Sequence, residues 1–234
     1  VSAEGPETGG TPEAPGFAGF AGSAGAGGSA VRPDGLVAEA HEDGVDGAAA
    51  AARRVISALL RTGDDTAADM AGMAKQLHAV ADQLEEHAPA RETRLVNMWR
   101  GDGITRHDPV TGPENALAPP LRLTGRADGS VEGTVTLGIA YQGPPGCVHG
   151  GVSALLLDHT FGVANHWAGL SGMTAELTLR YRRPSPLFEP LTITGRQISV
   201  DGAKIRTVGG IAAGGRDCVT AEGLFIAKHL PRPR

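Results

Sequence analysis

The chain has 234 residues, a formal net charge of −5, only two cysteines, and 35 glycines and 16 prolines that are unevenly spread. The acidic balance argues against non-specific binding to nucleic acid or anionic membrane, and two cysteines alone build neither a disulfide framework nor a Cys-based zinc site. No apolar run nears the ~20 residues of a membrane-spanning helix, and no basic segment leads into an apolar core near the start, so a soluble cytoplasmic protein is expected.

Residues 1–35 are rich in Gly, Ala and Pro and hold almost nothing that could build a core, so a disordered tail is expected there. A helical region, 36–104, follows. Within it "GAAAAARRVISALL" favours helix by propensity, and Gly63 ends it. Asp64, Asp65 and Thr66 are candidate caps for a second helix that stops before Pro89. Met70, Met73, Leu77, Val80 and Leu84 form one apolar stripe on that helix. The stripe reads either as the underside of a helix lying on its own domain or as an arm across a partner subunit. "RETRLVNMW" predicts a third, short helix.

From about residue 105 to 230 the texture changes. A proline-rich lead-in, "HDPVTGPENALAPP", precedes strand candidates "LRLTG" and "SVEGTVTLGIAY", joined by the turn signal Asp128-Gly129. After one long apolar helix come "MTAELTLRYRR", "LTITGRQISV", "KIRTVGGIAA" and "CVTAEGLFIAKH", with hairpin signals at Asp201-Gly202 and Gly214-Gly215. About six strands around one helix, without a βα rhythm, predict an α+β domain whose largely antiparallel sheet curves around the helix.

That helix poses the functional question. It follows "QGPPGCVHGG" and is apolar around most of its circumference, so it belongs in the core. Yet it carries Asp158, and an unpaired buried carboxylate costs several kcal/mol or is forced to protonate. If the helix starts at Gly150, Asp158 stands ~12 Å further along the axis. His149 of the same chain is then out of reach, and Asp158 meets a glycine turn only in a second copy. A two-fold dimer makes two such composite sites. At Gly150 and Gly151 no Cβ blocks approach, and the first N–H groups carry the positive end of the helix dipole. A carbonyl oxygen there is polarised and an oxyanion better stabilised still. A carboxylate opposite serves as general base toward water or as nucleophile, which suits hydrolysis of an activated acyl group.

"GPPGCVHGGVSALLLDHTFGVAN" followed by "MTAELTLRYRRPSP" resembles the hotdog-fold acyl-CoA thioesterases of the PaaI/Them-like branch. The resemblance covers about 105–230 and is strongest over 142–186. It implies a hotdog domain at 105–230 and a homo-oligomer, either a dimer or a dimer of dimers. It also implies an acyl-CoA substrate and hydrolysis without metal or organic cofactor. By it, Gly151 offers the N–H that polarises the thioester carbonyl and His149 helps to hold that carbonyl. Asp158 of the opposite subunit is the base or nucleophile, and Thr174 positions the attacking water. Gly150 and Gln142 border the substrate, and Arg182 and Arg183 are candidates for the CoA phosphates. One departure stands out: where some branches place an Asn six residues before the histidine, this chain has Gly143.

Other chemistries fit less well. Cys147 reads as a small buried cysteine rather than a nucleophile. Ser153 lacks the G-x-S-x-G elbow, and His159 and His166 match no zinc spacing. A non-catalytic acyl-CoA-binding sensor is the alternative from another class, and an acyl-carrier-protein thioester is an alternative substrate.

Overall fold

The fold is taken from a computed structural model that describes residues 35–63, 66–93 and 106–227. Helix α1 spans Gly44–Leu59 and α2 Met70–His87; α3 spans Gly150–Trp167. The strands are β1 (Arg122–Gly125), β2 (Val131–Thr136), β3 (Met173–Tyr181), β4 (Pro190–Asp201), β5 (Lys204–Ala213) and β6 (Arg216–Ile226). They form one antiparallel sheet in the order β1-β2-β4-β5-β6-β3. The sheet wraps α3, which touches all six strands. This is the hotdog arrangement.

Alternation along the strands explains the core. In β4, Leu191 and Ile193 turn inward between exposed neighbours. They meet Leu156, Leu157 and Phe161 of α3, all fully buried, and each such side chain contributes roughly 1.5–3 kcal/mol on leaving water. Phe161 lies so close to the sheet that a Cβ at Gly209 or Gly223 would come within 2.8 or 2.9 Å of its ring. The two glycines thus set how near α3, and Asp158 with it, approaches the sheet.

The two sheet edges differ. β1 is partly covered, since Gly35 bridges to Thr124 and the Leu36 N–H donates to the Leu123 carbonyl. β3 pairs only with β6 among the described residues, and most of its residues are exposed.

Some element limits differ from expectation. β2 stops at Thr136 instead of running through Tyr141, because its partner begins at Pro190, which has no N–H to extend the ladder. Ile139–Tyr141 form a 3₁₀ turn instead. Helix α2 starts at Met70, capped by the Asp69 carboxylate, which accepts from the Gly72 N–H at 2.9 Å. Of the caps expected earlier, Asp64 and Asp65 lie outside the described residues, and Thr66 accepts from Ala68 in a local turn. The third helix is seen only at Arg91–Thr93; its remainder, and residues 1–34, lie outside the described residues.

The N-terminal helices have unlike fates. Helix α1 is bolted to the lead-in. Asp46, 4% exposed, pairs with Arg106, which also pairs with Glu114 at 2.9 Å. Burial alone would raise the Asp46 carboxyl, but hydrogen bonds from the His41 N–H and Arg106 outweigh it and hold the pKa below the usual value. Arg53 donates to the carbonyls of Pro113 and Asn115 at 2.8 and 2.7 Å. Helix α2 has no buried residue, and its whole apolar stripe is exposed. It does not lie on its own domain. Among the described residues, no helix is long and apolar enough to cross a membrane.

Candidate active site

At the head of α3 the chain assembles a site from backbone. The turn before it is closed by Gly143 N–H to the Cys147 carbonyl and by Gly146 at φ +74°. An ideal Cβ at Gly143 would stand 2.8 Å from the Cα of His149. The asparagine of other branches therefore does not fit this backbone. Gln142 ends the 3₁₀ turn, and its Oε1 is 3.4 Å from the Gly146 N–H.

His149 is the N-cap of α3, an unusual residue there, and its Nδ1 accepts from the Gly151 N–H at 3.0 Å. That bond fixes the tautomer: Nδ1 accepts, so the proton of the neutral ring sits on Nε2, as a donor. In the single chain, then, the Gly151 N–H is held by the imidazole, and a substrate carbonyl reaches it only if the ring turns aside. The Gly150 carbonyl accepts from the Tyr181 hydroxyl at 2.8 Å. Tyr181 was not among the residues anticipated.

Eight residues further along α3, the second half of the site is made of side chains. Asp158 is half-buried, and its Oδ1 accepts from the Thr174 hydroxyl at 2.8 Å. Strand parity explains why Thr174 can reach it. Leu177 and Leu179 pack on the core, so even-numbered residues of β3 should face away. The register against β6 slips between Thr174 and Glu176, which makes Ala175 a bulge and turns Thr174 toward the helix. Tyr181, of the same parity as Leu177 and Leu179, faces the helix without help. A hydroxyl that donates to a carboxylate keeps its lone pairs for a water proton.

The lead-in touches both halves. His159 contacts Thr111 Oγ1 through Nε2 at 3.3 Å, with Nδ1 3.5 Å from Asp108. Burial lowers its pKa; the Asp108 and Asp158 charges oppose this without cancelling it. At the other end the Tyr141 hydroxyl donates to the Leu117 carbonyl at 3.1 Å, and the Tyr141 carbonyl accepts from the His149 N–H at 2.9 Å.

The structure thus brings Asp158 to Thr174, and His149, Gly150 and Gly151 to one another. It does not bring the two groups together, since one continuous helix separates them by ~12 Å. Arg182 and Arg183 follow Tyr181 at the exposed end of β3; Arg183 donates to the Asp217 carbonyl at 2.9 Å. Cys147, only half-buried where a buried cysteine was expected, and the buried Cys218 are free thiols, and no cluster fit for a metal occurs among the described residues.

A solved structure, protein RHA08564, a thioesterase superfamily protein, is 60% identical to this chain, with a TM-score of 0.77 over 84% of this chain and 98% of its own. The chain belongs to the thioesterase superfamily. The profile of that superfamily matches residues 145–219, which hold both halves of the site. The N-terminal helical domain of hypothetical protein RHA1_ro05818 matches residues 36–93 of this thioesterase-superfamily chain. Acyl-coenzyme A thioesterase THEM4 of Mus musculus is 35% identical over 68 residues, 29% of each chain. That of Xenopus laevis is 36% identical over 66 residues, 28% of this chain and 30% of its own. The match therefore spans less than a third of the length of these curated relatives.

Proposed function

We propose that the protein hydrolyses an acyl-CoA thioester to the free acid and CoA, at two sites per homodimer. Each site takes its glycine turn from one protomer and its aspartate from the other. The observation that carries this reading is the edge strand β3, paired only with β6 among the described residues, with Thr174 over Asp158 at one end and Tyr181 over Gly150 at the other. A second β3 added antiparallel across a two-fold axis sets the acid end of each chain beside the glycine end of its mate.

In this site the thioester oxygen takes the Gly151 N–H as the His149 ring turns aside, and the His149 Nε2–H helps to hold it. Thr174 orients a water toward Asp158, which takes its proton as the water oxygen adds to the carbonyl carbon. The negative charge that develops on the carbonyl oxygen is met by the helix N-terminus. The C–S bond then breaks, and CoA leaves as thiolate to be protonated by solvent or by Asp158. Direct attack by Asp158, through a mixed anhydride that water then opens, uses the same groups. Gly150 and Gln142 border the acyl group, and Arg182, with Arg183, receives the phosphates.

Subunit mixing tests the composite site. Asp158→Asn and Gly151→Val each lose thiol release from acyl-CoA. Mixed in equal amounts they regain about a quarter of wild-type turnover, because half the dimers are hybrids and each hybrid restores one of two sites. No recovery in hybrids shown to form would overturn the shared site. The hold of His149 on the Gly151 N–H favours one second reading, a binding protein that never turns over. Calorimetric binding of acyl-CoA without thiol release, across short, long and aryl chains, would establish it instead.

A further inference from the structure

We propose that α2 is a self-association surface, whose apolar seam packs antiparallel on α2 of a second copy of this chain. Met70, Met73, Leu77, Val80 and Leu84 are 37–63% exposed. An isolated helix of this length is marginal in water, the more so with Gly72 in its first turn, and most helices are held by packing of their apolar face. The helix implies a cover.

The pattern says what kind. The residues alternate by 3 and 4, the a and d positions of a two-helix seam, which is narrower than the face a helix turns to a domain. One flank is Ala74 and Ala81 and the other Gln76 and Gln83, while Lys75 and Asp82 lie on the opposite side. The flanks carry no charge to repel an identical helix. Polarity follows from the ends. Antiparallel pairing sets Leu77 against the partner's Val80 and Met73 against the partner's Leu84. It also brings the capping Asp69 beside the partner's His87, and opposes the helix dipoles favourably. Parallel pairing would instead set His87, at a seam position, against its own copy and align the helix dipoles unfavourably. The contact lies on an element apart from β3 and stands independently of any hydrolysis.

Disulfide trapping tests this. The Met73→Cys/Leu84→Cys double variant is expected to run as a dimer on a non-reducing gel after mild oxidation. Either single variant, and the outer-face pair Lys75→Cys/Asp82→Cys, should cross-link no more than the native thiols do. Efficient dimers from a single variant would establish a parallel seam and overturn the proposal. So would absence of dimers from the double variant, as when α2 folds back on the exposed Val55 and Leu59 of its own α1. A nitroxide on His78→Cys, off the seam and near its centre, leaves the packing untouched. Antiparallel helices 8–10 Å apart give a between-copy distance below about 25 Å by dipolar spectroscopy; no such distance overturns the proposal even if the cysteine pair misfolds.

Discussion

The two halves of the site sit on one helix and are built from opposite materials. At the head of α3 the proposed working groups are backbone N–H donors, shaped by a turn in which Gly143 touches His149. They are open to close approach because Gly150 and Gly151 have no Cβ, the Gly151 N–H once the His149 ring turns aside. Two turns on, the proposed working groups are side chains, Asp158 and Thr174, aligned by a one-residue bulge in β3. The first half should tolerate loss of a side-chain hydrogen bond but not an added carbon. The second should tolerate a change of volume but not of charge or donor.

The sharpest break of this contrast is Asp158→Asn. Thiol release should fall by at least about 100-fold, the scale of a lost general base, while the melting temperature holds. Full turnover in that variant would remove Asp158 from the chemistry. Next is Gly143→Ala, where the added carbon meets backbone rather than a mobile side chain. It should cost about 1–3 kcal/mol in denaturant unfolding, as overpacking does, and reduce activity by displacing His149. Thr174→Val removes a hydrogen bond to a charged group, worth about 1.5–3 kcal/mol, so kcat should fall tenfold or more while KM holds. Thr174→Ser should recover most of it; equal loss in both variants would point to packing instead.

Tyr181→Phe removes a neutral bond to the Gly150 carbonyl, worth roughly 0.5–1.5 kcal/mol, and should change kcat/KM only a few-fold. The smallest effect is in pH. The folded-state pKa of His159 lies below its ordinary value, so just below that value the unfolded chain binds more protons than the folded one. Its stabilising share is therefore complete at neutral pH and is lost as pH falls below the ordinary histidine value of about 6.5 and on through the lower folded-state pKa. His159→Asn should show a shallower decline of melting temperature between about pH 7 and 5 than wild type. An unchanged slope would place the dependence elsewhere.

The glycine half was legible in the sequence because glycine states its reason locally: no Cβ, at a helix start. The separation of Asp158 from His149 was legible too, since helix rise is fixed. Tyr181 could have been found by parity with Leu177 and Leu179, a signal present but unused. The reach of Thr174 was not readable, because a bulge at Ala175 depends on the register of β6, more than forty residues on. The lead-in looked like an extended connector, yet Asp108 and Thr111 hold His159, and Arg53 of α1 holds the lead-in. Such pairings join residues far apart in the chain and leave no periodicity behind. The α2 stripe was plain from spacing; what lies over it was not, since spacing records a need for cover and not its source.

In the proposed dimer the edge strand β3, paired only with β6 among the described residues, has a bearing on how the chain behaves before two copies meet. An uncapped sheet edge offers hydrogen bonds to any extended strand, so a chain not yet paired in the proposed dimer is open to irregular stacking. On that reading Glu176 and Arg180, both exposed on the strand, would disfavour such pairing, because an ill-matched strand would strip water from a charge without supplying its opposite. Neutralising both should leave assembled protein sound and lower the soluble yield during synthesis.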